Sequence, residues 1–373
     1  MDIKITMNFA VVEYRSKSGN IWKHTSNKPN YLCDPLTEID STSFGCYVSA
    51  LSGEHIPLTS IILNKNIFVK KVIKRITGSW PQTYSLDYFK KFDVLMIVHQ
   101  ISDGHEITAF TKRLKKLYPN IYIIGVPTQP FGILKQHIKN NPIWFKDFQE
   151  FMNTCDIFST VVKSTKEEWQ TMTTTKVEYL PQPYPVNYTA QFFKPYNQKE
   201  KILFVAGVTS RDNILIGHDV TKKIQKRLPG YVIHVTDIPG MDLDTSNLAG
   251  TNYEKQPFET WRQHLNYLNK VALVINTDFT QTRGRVQVDC AATGTVSIGA
   301  NSDGQADLFP ELLANKNTTK DQLVEQAVKL LTDSTYYTRI TNTATKRLQQ
   351  YNYIETAKRI TYLITTHQKR TNT

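Results

Sequence analysis

Gln281-Thr-Arg-Gly284-Arg-Val-Gln-Val-Asp289-Cys-Ala-Ala-Thr-Gly294-Thr-Val296 is the stretch whose reading decides the fold. From Gly284 to Thr293 it reads as a helix, set between a strand from Val271 to Asn276 and another from Val296 to Gly299. Strand, helix and strand in that order build a parallel sheet covered on both faces. Glycine at the start of the helix lets backbone amides approach an anion. Arg283 and Arg285 flank it, and a guanidinium fork suits phosphate oxygens.

The same alternation runs outward from this stretch. Upstream lie a strand from Ile202 to Ala206, a helix from Asn213 to Lys226, a strand from Tyr231 to Val235 and a helix from Phe258 to Leu268. Downstream, from Lys320 onward, the pattern is helical, with amphipathic stretches at Leu323 to Leu331 and Ile354 to Ile364. The first half repeats the theme. Ile3 to Val12 reads as a strand, the polar stretch from Glu13 to Asp40 as a long loop, and Phe44 to Leu51 as a helix capped by Ser41, Thr42 and Ser43 and ended by Gly53. Leu86 to Lys91 then precedes a buried strand from Asp93 to Val98, a helix from His105 to Leu117 and a strand from Ile121 to Val126.

Three prolines in Val177-Glu-Tyr-Leu-Pro-Gln-Pro-Tyr-Pro185 close the first pattern. The expected organisation is an N-terminal Rossmann-like domain over 1–183, a linker over 184–200, a C-terminal Rossmann-like domain over 201–350, and a last helix over 351–373 that packs back on the N-terminal domain. A length of 373 residues suits two such domains, at roughly 150 residues each.

Composition narrows the class. Hydrophobic residues make up 40%, which suits a globular chain, and no apolar run approaches the roughly 20 residues that span a bilayer, so a cytoplasmic protein is expected. Cys33, Cys46, Cys155 and Cys290 lie far apart without a CxxC pair, which indicates neither a zinc site nor a disulfide framework. His218 and His234 have no partner at metal-ligand spacing. The net charge of +12 would attract a polyanion such as nucleic acid or an anionic membrane face, and it equally describes a solubilising surface. Basic residues are scattered, with no arm or zinc-finger spacing to read a DNA sequence. No GxGxxG follows the first strand of either half, which argues against a dehydrogenase.

The ordering over about residues 160 to 310 resembles the donor domain of GT-B glycosyltransferases, especially the large retaining group called family 4. Members have a strand ending in Gly-Arg, here Gly207 with Arg211 after it; a Lys-Gly pair, here Ile216-Gly217; and two acidic residues around a glycine-containing turn, here Gln281 and Asp289 around Gly284. Gly304 and Asp307 resemble the segment that follows, and Val161 to Trp169 the segment before the domain crossing. The chain departs from the pattern at three places. Gln281 replaces the first acidic residue, Ile216 the phosphate-binding lysine, and Pro127-Thr128-Gln129-Pro130 a strand-end histidine.

The resemblance implies an α/β, GT-B architecture with two Rossmann-like domains facing across a cleft. It implies a donor site of Gly207, Arg211, Arg283, Gly284, Arg285 and Asp289, with Asp289 on the ribose. It requires no cofactor and no obligatory metal. Competing readings are a solvated surface for each arginine and a capping or helix-surface carboxylate for Asp289. His99 follows an apolar strand, and sites in open α/β sheets lie beyond the carboxyl ends of strands. With Asp103 and His105 on the next loop it forms the candidate catalytic set, against a structural histidine and a helix-capping aspartate. Trp22 and the turn at Gly45 are candidate acceptor contacts.

The function expected is a transferase of the EC 2.4 class taking a hexose or pentose from a nucleotide sugar. Its acceptor is a hydroxymethylated base in duplex DNA, as in phage enzymes of that kind, or a lipid-linked or cell-wall glycan at a membrane surface. An inactive nucleotide-binding scaffold of the same shape is the alternative from a different class.

Overall fold

In a computed structural model, the described residues are 7–14, 44–58, 84–102, 104–207, 213–237, 240, 243–257, 259–282, 285–302 and 304–371. Residues 15–40 of the expected loop, with Trp22, the capping residues 41–43, and Asp103, Arg211, Arg283 and Gly284 lie outside them, while Glu13 and Tyr14 of that expected loop belong to a strand.

The first half runs β1 (Phe9–Tyr14), α1 (Gly45–Leu51), β2 (Glu54–Leu58), β3 (Val94–His99), α2 (Gly104–Leu117), β4 (Tyr122–Pro127), α3 (Phe131–Asn140), α4 (Pro142–Thr154), β5 (Ile157–Thr160), α5 (Lys166–Gln170) and β6 (Val177–Tyr179). After α6 (Val186–Thr189) come β7 (Ile202–Ala206), α7 (Ile214–Arg227), β8 (Val232–Asp237), β9 (Tyr253–Pro257), α8 (Trp261–Leu268), β10 (Leu273–Asn276) and α9 (Val286–Thr293). The chain ends with β11 (Val296–Ala300), α10 (Gln305–Leu308), β12 (Leu313–Ala314), α11 (Lys320–Thr332), α12 (Ser334–Leu348) and α13 (Tyr353–Thr371).

The strands form two six-stranded parallel sheets, ordered β2-β1-β3-β4-β5-β6 and β12-β11-β10-β7-β8-β9. Both orders reverse direction once, between β1 and β3 and between β7 and β10. Such switch points leave a crevice beyond the carboxyl ends of the strands, where ligands of doubly wound sheets bind.

Burial follows from the parallel pairing. All six residues of β3 and all four of β10 are buried, as in a sheet covered on both faces. Leu95 and Ile97 face α2 and α4; Val94, Met96 and Val98 face α1 and α13. Ala357, Ile360 and Ile364 of α13 thus join the core of the first sheet, whereas Tyr337, Ile340 and Ala344 of α12 belong to the second. The chain passes between the two units twice. The passages touch where the Tyr184 amide donates to the Tyr351 carbonyl at 2.7 Å and Tyr184 bridges Asn352.

Two boundaries differ from expectation for physical reasons. α1 ends on Ser52, whose φ of 51° is left-handed, while Gly53 is required by close approach, since a Cβ there would lie 2.6 Å from the Phe9 carbonyl oxygen. The helix expected from Phe258 begins at Trp261, where Thr260 and Gln263 form a reciprocal capping box.

Candidate active site

The loops after β10 and β11 meet those after β4 and β5. The Gly132 amide, at the start of α3, donates to the Thr280 carbonyl at 2.8 Å. A Cβ at Gly132 would lie 3.0 Å from the Thr280 backbone, so the two halves approach closely there. The Ser164 hydroxyl oxygen accepts from Asn301 Nδ2 at 2.9 Å and from Gln281 Nε2 at 3.3 Å. Beside these bridges lies a crevice of about 340 Å³, lined by Val161, Lys163, Tyr179, Ser302, Gly304 and Asp307 among others.

Local chemistry holds the second-half loops in place. Asp278 accepts from the Thr280 amide at 2.8 Å, an Asx turn that precedes the left-handed Gln281 (φ 56°). Asn213 Nδ2 donates to the Thr277 carbonyl, and Thr277 Oγ1 donates to the Asn213 carbonyl, which ties the start of α7 to the end of β10. Gly207 closes β7 with a φ of 108°, a conformation open to glycine. Gly217, the glycine of the expected Lys-Gly pair, is a packing residue: a Cβ there would lie 2.6 Å from Val205 Cγ1.

Arg285 immediately precedes α9 and is 8% exposed, with its guanidinium carbon 5.7 Å from the Tyr184 ring centroid. Asp289, the expected ribose contact, lies inside the second unit. It is 3% exposed, and its Oδ1 accepts from the Tyr184 hydroxyl at 2.7 Å and from Trp261 Nε1 at 3.0 Å. Burial pushes its carboxyl up to about 6, against the lowering effect of those two bonds and of Arg285.

His99, expected in the catalytic set, lies inside the first unit. It is buried among the rings of Trp144, Phe148 and Phe151, on the α2 and α4 face of the first sheet. Burial lowers its pKa to about 3, so it is a weak base enclosed by aromatic carbon. Gly104 allows this packing, since a Cβ there would lie 2.8 Å from His99 Cε1. His105 is an exposed residue of α2 whose Nδ1 lies 3.3 Å from Asp147 of α4. Gly45 is buried in α1, which packs on α13. The structure therefore does not bring His99, His105 and Gly45 together at the crevice.

Ser164, Asn301, Tyr184 and Trp261 were not singled out for these roles from sequence. Their partners lie 137, 105 and 28 residues away, and none forms a short-range motif.

No family model matches the chain, and no curated protein matches it. Solved structures do. Sucrose-phosphate synthase from Thermosynechococcus elongatus is similar with a TM-score of 0.62 at 12% identity, over 96% of this chain and 98% of that one. The α,α-trehalose 6-phosphate synthase from Burkholderia multivorans gives 0.63 at 10% identity, over 98% and 99%. An α-glucosyltransferase in complex with UDP-glucose and DNA containing an abasic site gives 0.57 at 13% identity, over 96% and 99%. At such identities the likeness is one of architecture, and its near-complete coverage in both directions shows that the chain has the GT-B fold.

Proposed function

We propose that the chain is a nucleotide-sugar-dependent glycosyltransferase of the EC 2.4 class. The observation that carries this reading is the meeting of Thr280 and Gln281, which follow β10, with Gly132 and Ser164 of the other half, beside an open crevice. Transfer requires a leaving nucleoside diphosphate to be neutralised and an acceptor hydroxyl to be held against the anomeric carbon. Arg285, with Arg211 and Arg283, supplies the positive charge in this reading, and the two halves do the positioning. No cofactor and no metal enters it.

The acceptor proposed is a hydroxymethylated base in duplex DNA. The +12 charge supports a polyanionic acceptor, and one structure of similar fold was solved with both UDP-glucose and DNA. Among the described residues no helix is long and apolar enough to cross a membrane, so a glycan acceptor would have to be reached from the surface of a bilayer. The test is transfer of radiolabelled sugar to hydroxymethylated duplex DNA, to unmodified duplex and to lipid-linked glycan. Label on the modified duplex alone supports the DNA acceptor, and label on the glycan alone replaces it.

A further inference from the structure

Asp289 sits where α8, α9 and the passage between the two units meet, and its two hydrogen-bond donors come from different parts of the chain. Trp261 opens α8, while Tyr184 belongs to the segment joining β6 to β7. Tyr184 is fixed at both ends. Its amide is bonded to Tyr351 beside the second passage, and its hydroxyl to Asp289 inside the second unit. One side chain therefore joins the crossing to α9, the helix that follows Arg285. Within that opening the Asp289 amide donates to the Arg285 carbonyl at 2.9 Å, so displacement of Asp289 would carry the Arg285 backbone with it.

We propose that Tyr184 is a positioning residue for the donor: by anchoring Asp289 through its hydroxyl, it fixes Arg285, at the start of α9, against the diphosphate of a nucleotide sugar that it does not touch. The proposal rests on the glycosyltransferase reading. Burial and the neighbouring Asp289 push the Tyr184 hydroxyl well above its usual range, so it remains a donor at neutral pH. With Asp289 at about 6, its partner is an anion there, and a hydrogen bond to a charged group is among the stronger ones.

The test is calorimetric titration of wild type and Tyr184→Phe at pH 7.5 with UDP, GDP and ADP, and with the three corresponding nucleosides. Phenylalanine preserves the edge-on ring contact with Trp261, at 6.0 Å between centroids, and removes only the hydroxyl. The expected result is about tenfold weaker binding of the preferred diphosphate, the scale of one hydrogen bond, with nucleoside binding changed less than about twofold. An equal loss on diphosphate and nucleoside, as general loosening would give, overturns the proposal, and so does no loss at all. Wild type that binds none of the three diphosphates overturns the glycosyltransferase reading instead. Asp289→Leu, similar in size and without an acceptor for the Tyr184 hydroxyl, is the second variant should Tyr184→Phe fail to fold, and the same split between diphosphate and nucleoside is expected of it.

Discussion

The hydroxyl of Tyr184 donates to Asp289 across 105 residues of sequence, at 2.7 Å and out of contact with solvent. Replacing Asp289 with alanine leaves the Tyr184 hydroxyl and the Trp261 indole without their acceptor in a dry core. The expected cost is about 2–4 kcal/mol of stability, and Asp289→Asn, which keeps an acceptor, should cost less. Urea midpoints of the two variants check this. The pH dependence has a definite sign. The native carboxyl, at about 6, lies above its unfolded value near 4. Between roughly pH 4 and 6 the native state therefore holds a proton that the unfolded chain releases, and this contribution to stability is lost as pH rises through 6.

His99 acts in the opposite direction. Its native pKa of about 3 lies below the ordinary value near 6.5. The unfolded chain therefore binds a proton below about pH 6.5 that the native state refuses, and stability falls as the solution is acidified through that window. His99→Phe fits a pocket already made of Trp144, Phe148 and Phe151. The variant should gain stability over wild type at pH 5 relative to pH 8, as read from urea midpoints at the two values. An equal difference at both would remove His99 from the acid limb.

Gly217 marks where α7 lies against β7. Alanine there would drive a methyl into Val205 Cγ1 at 2.6 Å, and valine is stiff about χ1. Gly217→Ala should cost about 1–3 kcal/mol by overpacking. Val205→Ala removes the obstructing methyls, so the double variant should be more stable than the sum of the single losses, a coupling that a double-mutant cycle measures.

Ser164 accepts from both Asn301 and Gln281 beside the crevice. These bonds are reachable by solvent, so Ser164→Ala should cost less than about 1.5 kcal/mol of stability while lowering kcat/KM by about tenfold. Thermal melts and steady-state kinetics separate the two effects. A large melting shift with unchanged kinetics would give Ser164 a purely structural role.

Much of the fold was legible in the sequence because parallel strands buried on both faces are short continuous apolar runs. Val94 to Val98 and Leu273 to Asn276 fall at their expected places within a residue or two. β9 gave no such signal. Tyr253-Glu-Lys-Gln-Pro lies at the edge of its sheet with exposed polar side chains, and only its pairing with β8 makes it a strand. The site was harder to read. Position after a strand pointed to His99, but the direction of a side chain at a strand end depends on the pleat, which turned this one inward. Spacing pointed to Asp289, whereas its surroundings are set by Tyr184 and Trp261, whose approach no local pattern records.

The central claim is tested most directly by nucleoside diphosphate release from UDP-, GDP- and ADP-glucose, with and without hydroxymethylated duplex DNA. Wild type, Arg285→Ala and wild type in EDTA are compared. The expected result is release from one donor, falling about 100-fold in Arg285→Ala, on the scale of removing one transition-state charge contact, and changed less than about twofold by EDTA. Tight nucleotide binding without release from any donor would contradict enzymatic transfer and leave a nucleotide-binding scaffold of the same fold.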